Sequence, residues 1–147
     1  MAGELTKRFQ SLQEERTRTF KALDNHHKVF LSHAPNYEAG FDDLKKGVNV
    51  CTDIFKKVSK QIIEIKKELD THHGDTSLGG LVGKIQELEE KKLRTVVDVQ
   101  LAKQQANDNK GDQLCEKNYK LLMAGLNKLS EEINDTLMEI RLEVSSE

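Results

Sequence analysis

Tryptophan is absent from this chain of 147 residues, proline occurs once, and aromatic residues make up only 5% of it. Charged residues account for 33%, and leucine, lysine and glutamate, which are strong helix formers, are abundant. This composition argues against a β-sheet protein. It predicts an all-α fold.

Cysteine is also scarce, and long apolar runs are missing. A chain of this length can bury a core without disulfides or metals, and we expect Cys51 and Cys115 to be core residues in a reducing compartment. No apolar signal segment occupies Met1 to Gln10, and no stretch approaches the roughly 20 apolar residues that span a bilayer. We therefore expect a soluble nuclear or cytoplasmic protein that is not secreted and does not enter a membrane.

The most regular feature of the sequence is an apolar stripe in its second quarter. Nine apolar residues recur there at alternating steps of three and four, namely Phe41, Leu44, Val48, Cys51, Phe55, Val58, Ile62, Ile65 and Leu69. Because such residues share one face of a helix, the pattern predicts a long helix that packs against other helices. Val50, Ile54 and Ile63 widen the stripe, which favours a bundle of several helices over an isolated two-stranded coil.

Three short breaks divide the chain into four helical segments. Pro35 in the first break cannot continue a helix, and Gly74 and Gly111 suit the turns of the second and third breaks. The predicted helices span about residues 4–32, 40–71, 78–106 and 112–144. Their matched lengths favour a single domain over residues 1–147, an elongated antiparallel four-helix bundle. The alternative is a pair of coiled-coil-like helical hairpins that completes its core with a partner chain.

The other three helices carry less uniform stripes. In the third helix the stripe shifts near Glu89, so its packing face must rotate towards a second cluster at Leu93, Val96, Val97 and Leu101. The fourth helix has a regular stripe at Leu122, Leu126, Leu129, Ile133, Leu137, Ile140 and Val144. The first helix has a thin stripe.

In the first helix, the heptad that begins at Phe9 and Leu12 places Arg16, Thr19 and His26 on or near the packing face. This helix is therefore either peripheral or uses these polar groups for a specific contact. We expect Arg16 to lay its aliphatic stem on the edge of the core and to keep its charge in water.

We predict no catalytic residue and no cofactor. The segment from Gly79 to Lys84 resembles a phosphate-binding loop only superficially, because the glycine spacing is wrong and no Ser or Thr follows the lysine. Adjacent carboxylates such as Glu89 and Glu90 diverge on a helix, so we expect them on solvated faces. The chain is therefore not expected to be an enzyme.

We also predict no metal site. The histidines form two adjacent pairs, His26-His27 and His72-His73, with His33 alone, and none has the spacing of a metal-binding signature. Solvated positions near helix ends are the simpler explanation.

Direct binding to nucleic acid is disfavoured by charge. The net charge is −2, and the densest basic run, Lys56 to Lys67, contains Glu64 and is flanked by Asp53, Glu68 and Asp70. Such mixtures form salt-bridged surfaces, whereas a DNA-binding domain concentrates far more positive charge. We therefore expect partners that are proteins, bound through helical surfaces.

Three blocks resemble the required for excision 1-B domain family. They are Leu12-Gln13-Glu14-Glu15-Arg16-Thr17-Arg18-Thr19-Phe20 with the later Pro35-Asn36-Tyr37 turn, the block from Leu88 to Leu101, and the block from Glu132 to Leu142. Their order and spacing cover nearly the whole chain. The family is named for excision repair of damaged DNA, so the resemblance implies a process rather than a reaction and assigns no catalytic residue.

The resemblance implies a non-enzymatic helical adaptor or scaffold that supports excision repair through contacts with other proteins. We expect these contacts on the first helix and the first turn, at Arg16, His26, His27, Pro35 and Tyr37. A structural coiled-coil component of a cytoskeletal or ciliary assembly is the alternative, in which long uniform helices serve as a strut. Either function is compatible with homo- or hetero-oligomers.

Overall fold

The chain forms four α-helices in the structure, a computed structural model that describes residues 2–146. The helices are α1 (Ala2–Leu31), α2 (Glu38–Thr71), α3 (Thr76–Asp108) and α4 (Gln113–Ser145). No strand occurs among these residues. The prediction of an all-α fold with four helices is confirmed, and every predicted helix end lies within two residues of the observed one.

The turns between the helices use the residues that favour them. Gly74 after α2 and Gly111 before α4 have φ values of +60° and +91°, which glycine adopts without strain. The Asp75 carboxylate accepts a hydrogen bond of 3.1 Å from the Leu78 N–H, and Asp112 caps the first turn of α4 in the same way. Both carboxylates satisfy N–H groups that have no partner within the helix.

The chain divides into two compact units, Met1–Gly79 and Gly80–Glu147. The first unit contains α1 and α2, and the second contains most of α3 and all of α4. A single domain over residues 1–147 stays a prediction.

In the first unit, α1 and α2 pack as an antiparallel hairpin. The ring centroids of Phe20 and Phe55 lie 4.7 Å apart, and the Cys51 thiol donates a weak hydrogen bond to the carbonyl oxygen of Thr19, with 3.8 Å between sulfur and oxygen. The antiparallel direction follows from two other contacts, because His26 lies against Gly47 whereas His33, later in α1, lies against the earlier Gly40. This packing explains why α2 needs a continuous apolar stripe.

The stripe on α2 is buried over most of its predicted length. Six of the nine predicted members are buried, namely Cys51, Phe55, Val58, Ile62, Ile65 and Leu69. Near the start of α2 the prediction was wrong, because Phe41 is 55% exposed. Gly40 and Gly47 occupy the buried positions there instead, so the packing face begins one residue earlier than the apolar pattern indicates.

The predicted widening of the α2 stripe is also wrong for two of its three residues. Val50 and Ile63 are exposed, and only Ile54 is half-buried. Burial on α2 therefore follows the narrow heptad face that meets α1.

Burial in the second unit is uneven. The first half of α3 is buried at Leu78, Val82, Ile85 and Leu88, and its second half at Val99 and Ala102. Val97 and Leu101, which were predicted to join the packing face of α3, are exposed. Along α4, burial is confined to Ile133, Thr136 and Ile140. The other predicted stripe residues of α4 are half-buried, namely Leu122, Leu126, Leu129, Leu137 and Val144.

One predicted solvated carboxylate is buried. Glu89 is 4% exposed, whereas its neighbour Glu90 is exposed, as expected. Glu89 lies one helical turn after Ile85, so it continues the buried face of α3. The prediction failed because it considered only the divergence of the two carboxylates and not the face that each one occupies.

Candidate partner-contact surface

The five residues predicted to contact partners differ in exposure. Arg16 and His27 are buried, His26 and Tyr37 are half-buried, and Pro35 is exposed. The structure thus places all five in the α1–α2 hairpin or its turn, but it does not bring them to one surface. Their role as contacts stays a prediction.

Arg16 lies within the packing face of α1. Its exposed fraction is 2%, so the expectation that its charge stays in water was wrong. It is four residues after Leu12 and three before Thr19, both of which are also buried, so the heptad carries it towards α2. A guanidinium remains charged at any ordinary pH, and burial is expensive unless polar groups surround it. Arg16 is therefore part of the buried face of α1.

Two histidines lie directly over two glycines of α2. A Cβ atom placed on Gly47 would come within 2.5 Å of the His26 ring, and one placed on Gly40 would overlap the ring of His33. Sequence reasoning missed this pairing. The signal was present, because the two histidines are seven residues apart and so are the two glycines. Glycine at these positions allows the close approach that a larger residue would prevent.

Three rings follow one another at the turn end of the hairpin. The ring centroid of His27 lies 6.3 Å from that of Phe30, and Phe30 stacks on Tyr37 at 5.1 Å with an interplanar angle of 24°. Tyr37 occupies the position just before α2, so this stacking ties the first residue after the turn to the last turns of α1. Pro35, in the same turn, follows a cis peptide bond.

Exposed apolar side chains flank this turn. Val29, near the end of α1, is 57% exposed, and Phe41 lies exposed at the start of α2. We call these two residues, together with Pro35 and Tyr37, the turn-end cluster. Sequence reasoning found only Pro35 and Tyr37, because the heptad pattern assigned Phe41 to the core. Apolar groups that water still covers are candidates for contact with another protein.

Both cysteine thiols have a pKa above the ordinary value of a cysteine. Burial raises the pKa of the Cys51 thiol, and burial together with the nearby Asp112 carboxylate raises the pKa of Cys115. A raised pKa keeps a thiol protonated at neutral pH, whereas nucleophilic chemistry needs the thiolate. The prediction that Cys51 is a core residue is confirmed, whereas the same prediction for Cys115 is wrong, because Cys115 is only half-buried.

The charged surface of α2 contains a close ion pair. Lys66 Nζ lies 2.6 Å from an Asp70 carboxylate oxygen, one helical turn away.

Within residues 2–146, no group of three or more His, Cys, Asp or Glu side chains could hold a metal ion. No helix in the described part of the chain is long and apolar enough to cross a bilayer.

The sequence is similar to one known protein family and to two curated proteins. The sequence model of the DNA repair REX1-B family matches residues 4–103, which cover nearly all of α1, all of α2 and most of α3. Two curated proteins, both named Required for excision 1-B domain-containing protein, are similar to nearly the whole chain. No solved structure matches.

The two curated proteins are similar to this chain to the same degree. The protein from Bos taurus is 29% identical over 143 residues, covering 97% of this chain and 77% of its own length. The protein from Mus musculus is 29% identical over 142 residues, covering 97% of this chain and 80% of its own length. The resemblance found in the three sequence blocks is confirmed. Because the family match covers more than half of the sequence, the chain belongs to the DNA repair REX1-B family.

Proposed function

We propose that this chain is a non-enzymatic helical adaptor that supports excision repair of damaged DNA by binding other proteins. Membership of the DNA repair REX1-B family supports the repair role. The turn-end cluster carries the adaptor role, because it exposes apolar side chains at one end of a hairpin that lies almost entirely inside the matched region.

The predicted contact residues then divide into two groups. Pro35 and Tyr37, at the turn, contribute surface to the partner contact. Arg16, His26 and His27 act from within the hairpin, where they hold α1 against α2 and so fix the position of the turn. Substitutions in the second group would weaken binding by loosening the hairpin.

The partner in this proposal is a protein, and the chain needs no metal or cofactor. The mixed charge on α2, with pairs such as Lys66 and Asp70, supports a protein partner over direct contact with nucleic acid. The site of action is the nucleus, the cytoplasm or both, and the adaptor works as a monomer or within a larger assembly.

The experiment compares two exposed apolar residues of α2 in cells whose own copy of the protein has been removed. Phe41→Asp alters the turn-end cluster, and Val50→Asp alters a residue of similar exposure in the middle of the helix. Each variant and the wild type are fused to a proximity-labelling enzyme, with and without ultraviolet damage. Circular dichroism of the purified variants checks that both fold.

We expect the wild type and Val50→Asp to label repair proteins and to restore survival after ultraviolet damage. Phe41→Asp should lose most of that labelling and much of the survival. Equal labelling and survival for Phe41→Asp and Val50→Asp would contradict the turn-end cluster as the contact. Recovery of filament or axonemal proteins alone, with no effect of damage, would contradict the repair adaptor.

The helix lengths favour a second function, a structural component of a cytoskeletal or ciliary assembly. The four helices contain 30 to 34 residues each, and a helix of 33 residues is about 50 Å long. A strut of this kind would label the same filament proteins before and after damage. The same experiment therefore distinguishes the two functions.

A further inference from the structure

The outer face of α4 carries a second heptad stripe, separate from its half-buried one. Nine exposed residues recur there at alternating steps of three and four, namely Leu114, Lys117, Leu121, Ala124, Lys128, Glu131, Asp135, Met138 and Leu142. Four of them are large apolar residues, with exposed fractions of 78% for Leu114, 73% for Leu121, 55% for Met138 and 65% for Leu142. Large apolar side chains at heptad spacing are typical of a face that meets another helix.

Charge is sharply divided along the same helix. Residues 117–128 contain three lysines and no acidic residue, whereas residues 131–143 contain five acidic residues and one arginine. The boundary falls between Lys128 and Glu131, near the middle of α4. Two such helices attract each other when they run antiparallel and repel each other when they run parallel.

We propose that α4 pairs with α4 of a second copy of this chain, antiparallel, through this outer face. This inference goes beyond the proposed function and does not depend on it. The stripe alone fits two antiparallel registers equally well, and the charge boundary selects the one in which the numbers of facing residues sum to 259, because residues 117–128 then face residues 131–142. Leu121 then faces Met138 of the second copy, and Lys128 faces Glu131.

The remaining positions fit the same register. Ala124 faces Asp135, and Lys117 faces Leu142, so eight of the nine stripe residues meet another member of the stripe. On the flank, Lys120 faces Glu139. A twofold axis between residues 129 and 130 relates the two helices, so every contact occurs twice, as in a closed symmetric dimer.

Charge reversal tests the pairing without disturbing the core, because both residues are exposed. Lys128→Glu places a carboxylate opposite Glu131 of the second copy, and Glu131→Lys places an ammonium opposite Lys128. The double variant restores opposite charges in the dimer. Lys57→Glu, at an exposed position of α2, is the matched control.

Sedimentation equilibrium of the full chain from about 1 to 200 µM measures the association, and circular dichroism confirms that each variant is folded. We expect the wild type and Lys57→Glu to dimerise, each single variant on α4 to dimerise at least about tenfold more weakly, and the double variant to recover. A wild type that stays monomeric throughout this range would overturn the proposal. A dimer that both single variants leave unchanged would also overturn it.

Cysteine cross-linking tests the register itself. In a Cys115→Ser background, the variant with both Ala124→Cys and Asp135→Cys carries thiols about 16 Å apart along one helix, too far for a disulfide within the chain. In the antiparallel register these thiols meet across the dimer. We expect the double variant, and neither single variant, to give a disulfide-linked dimer under mild oxidation. A linked dimer from Ala124→Cys alone would indicate parallel helices and overturn the register.

Discussion

Helices α2 and α4 carry similar apolar heptads in the sequence but differ in how far they are buried. Six of the nine stripe residues on α2 are buried, whereas Ile133 and Ile140 are the buried members of the seven predicted on α4. A heptad therefore indicates which residues share a face, and it does not indicate how completely that face is covered.

The glycines of α2 and α4 also differ in how closely other residues pack against them. Gly47 of α2 lies under the ring of His26, whereas a Cβ atom on Gly125 of α4 would meet nothing within 4 Å. The first glycine serves a close contact, and the second only weakens its helix. Packing details of this kind decide which helix is sensitive to substitution.

The largest expected effect is a loss of stability, which should differ between a charged substitution in the stripe of α2 and one in the stripe of α4. Ile62→Asp places a charge at a fully buried position of α2 and should destabilise the protein by about 3 to 5 kcal/mol. Leu126→Asp, at a half-buried stripe position of α4, should cause less than half of that loss. Urea unfolding followed by circular dichroism at low protein concentration measures both.

Equal losses for the two variants would mean that the stripe of α4 is as well covered in solution as that of α2. An unchanged melting temperature for Ile62→Asp would mean that α2 faces water until a partner arrives.

Replacing each of the two glycines with alanine should have a smaller effect on stability, and the effect should differ in sign. Gly47→Ala should destabilise the protein by about 1 to 2 kcal/mol, because the new methyl group displaces the His26 ring. Gly125→Ala should stabilise it by about 0.5 to 1 kcal/mol, because alanine is the better helix former and the space is open. Both changes are measured by the shift in the urea midpoint.

The histidine provides the control for this comparison. Adding His26→Ala to Gly47→Ala removes the ring that the methyl group meets, so the double variant should lose less than the sum of the two single losses. Strictly additive losses would contradict a contact between residues 26 and 47.

The cysteines give a third contrast. Cys51→Ser replaces a buried thiol with a hydroxyl and should destabilise the hairpin by about 1 kcal/mol or more, since a hydroxyl is harder to bury. Cys115→Ser, at a half-buried position of α4, should change the free energy of unfolding by less than about 0.5 kcal/mol. If Cys115→Ser destabilised the protein more than Cys51→Ser, Cys115 would be the more buried of the two cysteines, contrary to the structure.

Much of the fold could be predicted because it depends on local rules. Helix ends follow from residues such as Pro35, Gly74 and Asp112, whose backbone or capping preferences act within a few positions. The burial of Ile62 and Ile65 follows from a period that only a helix satisfies.

The rest of the fold and the site depends on contacts between distant residues. Arg16 and Glu89 are buried because of the faces they occupy, although residue type alone favours the surface for both. Phe41 is exposed where Gly40 takes the buried position against His33, and the equal spacing of the histidines and glycines indicates this pairing only when the two helices are considered together. The turn-end cluster was therefore only half predicted.

The smallest effect concerns exposed charges on the two helices. Lys57→Asp on α2 puts a like charge one turn after Asp53 but an opposite charge one turn before Lys60, so the free energy of unfolding should stay within about 0.5 kcal/mol of wild type. Lys128→Asp on α4 instead places a third carboxylate within one turn of Glu131 and Glu132. Repulsion between like charges at these spacings should destabilise the helix by about 0.5 to 1 kcal/mol. Urea unfolding at low and high salt measures the difference, which should shrink at high salt because exposed charges are screened. A difference that salt leaves unchanged would show that Lys128 contributes packing to α4 rather than charge.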